Sequence, residues 1–342
     1  MNAGDIRLLN SDKNRRGFKK AIGYAAIPVI GMMIAVYPVR FLLKYFLKLC
    51  VYFAGFSPFG FEIFKYKLGD SSDTLYLAIN MIFYVIIVLL PFLIFMLAAR
   101  RKFTDIISLE KPKPLKLIGA VFISIFLGRI GTIISVFIQL FMESAGQSIP
   151  DINFGMPKTP FNMLIYFVSL AVMPAICEEF GYRGVVMGET KNYNTMFAVF
   201  FSAFCFALMH GTIQQIPMAF FVGASMAYFS IKYNSIWYGI IIHFINNGIS
   251  AMLTIITTGN EIAGNTLSFL WFFGVIIIGP VCFIILCFNE NLKLPRADKH
   301  MAFSKCLKLT LSNPVFYILM FTFVFDFCYR LGWLDRWTGW LP

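Results

Sequence analysis

FNMLIYFVSLAVMPAICEEFGYR, residues 161–183, runs from Phe161 to Cys177 without a charge and then places Glu178, Glu179 and Arg183 within six residues. Carried on to about Val186, the run is long enough to cross a bilayer core as a helix, which takes about 20 apolar residues. It lacks the alternation of a barrel strand. Ionisable side chains at membrane depth are expensive and are functional candidates by default. The stretch therefore reads as a spanning helix with chemistry near one end. Two of the three histidines follow it, each in its own apolar segment: Phe206-Ala-Leu-Met-His210 and His243-Phe-Ile-Asn-Asn247. The three stretches are expected to converge on a hydrolytic site inside a helix bundle.

Composition extends this reading to the whole chain. Of 342 residues, 59% are hydrophobic and 13% charged, against about a quarter charged in an ordinary soluble domain. The expected fold is all-α, a polytopic transmembrane bundle. The net charge of +12 does not point to nucleic acid. Its cations sit in short segments that flank apolar runs, as in cytoplasmic loops under the positive-inside rule. The seven cysteines include no CxxC. They read as small packing residues, not as a disulfide framework or zinc ribbon.

Residues 1–20 are polar and basic and are assigned to the cytoplasm. Residues 21–39 form a first span, retained because no small-x-small cleavage site closes it. Residues 40–56 set Arg40, Lys44 and Lys48 on one face, an interfacial amphipathic pattern, and a loop to Asp73 follows. The second and third spans are 74–99 and 117–142, with the cations from Arg100 to Lys116 between them on the cytoplasmic side. Residues 146–160 are an outer loop and 161–186 the fourth span. Spans five to eight are 195–210, 216–231, 236–257 and 267–288. The turns 191–194 and 232–235 are cytoplasmic, and 259–265 lies outside. The basic segment 289–312 returns to the cytoplasm. Residues 315–328, with Asp326 and Arg330 spaced to pair at i, i+4, form either a ninth span or an interfacial helix. The expected organisation is 21–158 as N-terminal helices, 159–251 as a catalytic core, and 252–342 as C-terminal helices with a basic loop.

On a helix, Glu179 and Arg183 stand at i, i+4 with the acid first, the favourable order for an ion pair. Glu178 is turned about 100° away and has no such partner. An unpaired carboxylate out of water is suited to general acid–base work. Pro174 removes a backbone hydrogen bond and is expected to kink the helix before Glu178, opening a cavity to water. His243 and Asn247 share a face at i, i+4. The bland alternative is an ordinary charged helix end and two histidines that satisfy local hydrogen bonds. Clustering of such groups in apolar segments favours a site. Depth fits in part. At about 1.5 Å per residue, His243 and Glu178 lie at similar depth from the cytoplasmic end, and His210 lies deeper. Arg129, near the middle of the third span, reads either as a further site residue or as a snorkelling side chain or partner of a buried acid.

The three stretches resemble the motifs of the CPBP intramembrane protease family, the CAAX protease and bacteriocin-processing or Abi family, which includes the type II CAAX prenyl endopeptidases. The pattern EExxxR, FxxxH, HxxxN is met by Glu178-Glu179-Phe-Gly-Tyr-Arg183, Phe206-Ala-Leu-Met-His210 and His243-Phe-Ile-Asn-Asn247. The resemblance covers about residues 161–251. It implies an eight-helix core with a cavity opening to the cytosol. It implies Glu178 as the base that activates water, assisted by His210. His243 and Asn247 would hold the oxyanion, and Glu179 and Arg183 would orient the site. It implies either no cofactor or Zn2+ held by Glu178, His210 and His243 with one position open for water. The metal-free site would use the same residues. The family variant it most resembles implies a multi-pass protein of a bacterial plasma membrane.

The leading functional expectation is an endopeptidase that cuts a hydrophobic or lipidated peptide near the cytosolic membrane face. Its partners are then a peptide or protein substrate and the lipid bilayer, with no nucleic acid. Two other classes stay open. One is a catalytically silent membrane adaptor or bacteriocin-immunity protein. The other is a transporter with a Glu178, His210 and His243 relay, for which the chain shows no paired half-repeats.

Overall fold

The computed structural model describes residues 3–53, 74–106, 108–144 and 159–330. Among them every regular element is a helix. In chain order these are α1 (Ala3–Phe53), α2 (Thr74–Ala98), α3 (Pro114–Ser144), α4 (Pro160–Lys191), α5 (Thr195–Leu208), α6 (Ile216–Lys232), α7 (Ile236–Gly259), α8 (Glu261–Asn289), α9 (Phe303–Leu311) and α10 (Pro314–Arg330), with a single extra turn at Phe103–Ile106. The chain is an integral, multi-pass membrane protein with an all-α bundle.

Local chemistry sets the helix starts. Proline opens α3, α4 and α10, where its missing N–H costs nothing. Thr159, Asn194, Ser235 and Asn260 cap α4, α5, α7 and α8 by accepting from a backbone N–H two or three residues on. Asn260 alone separates α7 from α8, so the expected outer loop at 259–265 shrinks to one residue. The expected first span and the amphipathic segment after it are one continuous helix to Phe53, running through Pro28 and Pro38. Residues 54–73 and 145–158, which include the rest of that segment and most of the 146–160 loop, lie outside the described residues.

Among the described residues six helices are long and apolar enough to cross a membrane, and the α9–α10 pair, bent by 74°, would make a seventh. The fifth and sixth expected spans are present as α5 and α6, but with 14 and 17 residues they are shorter than a span. At about 1.5 Å per residue they reach roughly 21 and 25 Å, less than a hydrocarbon core of about 30 Å. Neither helix alone therefore reaches across, and the partly exposed turn that joins them carries His210.

α6 is central and packs on α3, α5 and α7. Small residues let it approach α3: a methyl at Gly131 would meet the Met218 backbone at 2.6 Å, and one at Gly128 would meet Val222 at 2.5 Å. Close backbone approach of this kind is the usual way membrane helices associate. The segments expected on the cytoplasmic side gather at one end of the bundle. Arg101 pairs with Glu189 at 2.6 Å, Lys191 donates to the Ile106 carbonyl at 3.1 Å, and Asn194 donates to that of Met301 at 2.7 Å. Ser235 donates to the Glu110 carbonyl, and Lys116 and Tyr233 both hold Glu290.

Candidate active site

α4 does not break at Pro174. It continues as one element and widens twice, into π turns at Val168–Val172 and Phe180–Val186. Single π turns inside α-helices are frequent at functional sites. The first follows from the proline. With no N–H at position 174, the carbonyl four residues back, that of Leu170, loses its partner. Met173 N–H turns to Val168 O instead. Asn247 on α7 fills the place by donating from Nδ2 to Leu170 O at 3.0 Å. The expected kink is thus replaced by a local widening that docks α7 against α4 at an expected site residue.

Two turns further on, the carboxylates take different partners. The Glu179 and Arg183 side chains are both fully buried. Arg183 Nη1 stands 2.9 Å from Glu179 Oε1, an electrostatic contact whose N–H is not aimed at the oxygen. Arg183 Nη2 donates to the Gly223 carbonyl at 3.0 Å. The same Glu179 Oε1 lies 3.0 Å from His243 Nδ1. Because a carboxylate accepts, this contact puts the proton on Nδ1 and points Nε2 the other way. Nε2 then faces Glu178 Oε2 at 3.9 Å. Glu178 Oε1 accepts from Tyr84 on α2. Glu178 Oε2 is buried and has no hydrogen-bond partner. The histidine ring therefore stands between two carboxylates whose Oε1 atoms are engaged, that of Glu179 by His243 and Arg183 and that of Glu178 by Tyr84, while Oε2 of each has no hydrogen-bond partner.

Phe206 joins the remaining parts. The Arg183 guanidinium lies over its ring at 4.3 Å, and the rings of His243 and His210 meet it edge-on at 5.7 and 5.0 Å. His210, in the α5–α6 turn, donates from Nδ1 to the Phe206 carbonyl at 2.9 Å, which leaves its Nε2 as an acceptor. Because α4 runs to Lys191, Glu178 counts about 20 Å in from that end, close to His210 at about 22 Å from Thr195, whereas His243 is only about 10 Å from Ile236. The mismatch passes to His243, whose 3.9 Å approach to Glu178 shows that the helix ends do not share one level.

The structure thus brings Glu178, Glu179, Arg183 and His243 into direct contact or close to it. His210 joins through Phe206, and Asn247 through the Leu170 carbonyl. Among the described residues no group of three His, Cys, Asp or Glu side chains is placed to hold a metal ion. Glu178, His210 and His243 do not meet as a ligand set in this arrangement. Arg129 contacts Phe272 on α8 through its guanidinium at 5.8 Å, and no contact ties it to Glu178 or to either histidine.

Sequence reasoning missed three participants. Tyr84 had a signal, since Asn80 and Tyr84 stand at i, i+4 in an otherwise apolar helix. Phe206 opens its own motif and was read only as a marker for His210. Gly239 had none. A methyl there would meet Glu179 Oε2 at 2.4 Å and Ser230 Oγ at 3.1 Å, so only glycine leaves room for the buried carboxylate.

Residues 160–249 match the family model described as "Type II CAAX prenyl endopeptidase Rce1-like". The match falls on α4 to α7, the helices that bear all three motifs, and agrees with the CPBP resemblance. A comparison with curated proteins and with solved structures gave no match.

Proposed function

We propose that this site hydrolyses a peptide bond within the membrane, using a water activated by Glu178. The match at residues 160–249 supports a CAAX-type intramembrane endopeptidase at the level of the family. The single observation that carries the mechanism is Glu178 Oε2, a buried carboxylate oxygen without a partner, 3.9 Å from His243 Nε2. A water at an ordinary hydrogen-bond length of about 2.8 Å from both atoms would sit to one side of that gap, where a substrate carbonyl could meet it.

Glu178 Oε2 takes a proton from this water as its oxygen bonds to the scissile carbonyl carbon. The carbonyl π electrons move to the oxygen. His243 donates from Nε2 to the oxyanion, and Asn247 Nδ2 is the second donor. Glu179 accepts from His243 Nδ1 and is itself held by Arg183, which fixes the ring. The C–N bond then breaks, and the proton on Glu178 passes to the leaving nitrogen. His210 Nε2 assists Glu178 as a proton acceptor. No step is routed through a metal. The substrate class is a hydrophobic or lipidated peptide, whose apolar part partitions into the same bilayer as the site.

Purified protein in detergent, assayed against quenched peptides with and without lipidation, tests this reading. Glu178→Gln keeps the shape and the Tyr84 contact but removes the base. It is expected to lose on the order of 10²–10⁴-fold in kcat. Full activity in Glu178→Gln sinks the general-base role. Cleavage that survives a chelator supports the metal-free route, and loss of cleavage overturns it. Wild-type protein that cuts no peptide would favour the silent-adaptor reading.

A further inference from the structure

We infer that Asp326 and Arg330 on α10, outside the matched stretch, clamp the turn that carries His210 and act as positioning residues for the reaction. The inference rests on the role proposed above for His210. α5 ends at Leu208, so His210 is held by a turn and not by a helix. Its backbone is tied by two short-range bonds, His210 N–H to Ala207 O at 3.2 Å and Gly211 N–H to Leu208 O at 3.1 Å. Gly211 follows with φ +65°. Such a turn needs a second wall to fix the imidazole.

α10 supplies that wall. A methyl at Gly211 would meet Arg330 Nε at 2.5 Å, Asp326 Oδ2 at 2.6 Å and Arg330 Cδ at 2.8 Å. The pair therefore lies directly against the Gly211 backbone. It is itself rigidly held. Arg330 Nε donates to Asp326 Oδ2 at 2.6 Å, and Tyr37 on α1 donates to Asp326 Oδ1 at 3.1 Å. Both carboxylate oxygens are occupied, one from α10 itself and one from α1. Asp326 is only 3% exposed.

Stability alone does not call for this arrangement. A buried ion pair is often no better than well-packed apolar residues of the same volume, and the rest of α10 from Val315 to Phe325 is almost wholly apolar. What the charged pair adds is a fixed position. Two hydrogen-bonded oxygens and a planar guanidinium allow α10 one register against the turn, where sliding aliphatic contacts would allow several. The i, i+4 pair that the sequence offers without a role thus gains one. It lets the C-terminal helix set the geometry of a residue more than a hundred positions earlier.

The chain has three histidines, so ring signals of protein labelled with 15N-histidine can be assigned with His210→Ala. The full chain in detergent is compared as wild type, Asp326→Asn, Arg330→Gln and Arg330→Lys. The expected result is a displaced His210 ring signal in Asp326→Asn and Arg330→Gln, with His243 little changed. kcat on a cleaved peptide falls on the order of ten- to a hundredfold while KM holds, and Arg330→Lys recovers part of the loss. In a His210→Ala background, Asp326→Asn should lower kcat no further. An unmoved His210 signal in both Asp326→Asn and Arg330→Gln overturns the clamp, whatever the activity. A displaced signal with unchanged kcat keeps the clamp but refutes its role in the reaction, together with the role of His210. Equal losses of kcat with and without His210 also refute the positioning role. If Asp326→Asn does not fold, Arg330→Gln carries the same comparison, because Arg330 is partly exposed and its loss leaves the Tyr37 bond in place.

Discussion

Arg183→Met removes a charge from the centre of the bundle and leaves Glu179 behind. Neither side chain touches solvent, so water cannot compensate. With a charge separation of about 4 Å and an effective dielectric of about 20, the pair attraction is roughly 4 kcal/mol. Breaking a buried pair by removing one partner costs about 3–5 kcal/mol in general. The substitution also takes the donor from the Gly223 carbonyl and the cation from the Phe206 face. A loss of about 4 kcal/mol is thus expected, which is most of the stability of a marginal protein. The assay is unfolding in mixed micelles followed by tryptophan fluorescence, for wild type, Arg183→Met and the double variant Glu179→Gln/Arg183→Met. The double variant has no stranded charge. It should recover at least about 2 kcal/mol of the loss and yet remain inactive, because His243 Nδ1 no longer faces a carboxylate. The reasoning is refuted if Arg183→Met unfolds within about 0.5 kcal/mol of wild type, or if the double variant is no more stable than the single one.

Tyr84→Phe leaves Glu178 Oε1 without its donor. A loss of about 1–3 kcal/mol in unfolding free energy and a clear drop in kcat are expected, and wild-type turnover would show that Tyr84 only packs. Gly239→Ala sets a methyl 2.4 Å from Glu179 Oε2. It should cut kcat more than it raises KM, which steady-state kinetics on a cleaved peptide will resolve. At the basic end, partial burial pushes the Glu290 carboxyl up, but Lys116, Tyr233 and Lys232 outweigh it and hold it below the ordinary value. Its contribution to stability is therefore full above the unfolded-state value and lost as pH falls through the lower folded one. Unfolding curves for wild type and Glu290→Gln should converge in that acidic window and separate above it.

The amino-acid sequence by itself determined the membrane class, because apolar runs of spanning length and cations confined between them are one-dimensional signals. It also placed Glu179 against Arg183, since a helix fixes the i, i+4 neighbour, and the same holds for Asp326 and Arg330. It set the residue types of the site through three short motifs. Only the tertiary structure decided which carboxylate faces His243 Nδ1 and which faces Nε2. Glu178 and Glu179 are neighbours of identical chemistry, and Tyr84, Arg183 and His243 distinguish them from three different elements. The role of Pro174 was half visible. A missing N–H is a local fact, but the carbonyl it releases is filled by Asn247, 77 residues away. The bounds of α5 and α6 were legible to within two residues, but they were read as full spans because a composition window measures apolarity and not depth. A short hairpin inside a bundle is as apolar as a full span. Gly211 in its turn is buried by neighbours that no local pattern names, α10 among them. Contacts between helices depend on how whole elements pack, and packing is set jointly by every face in the bundle.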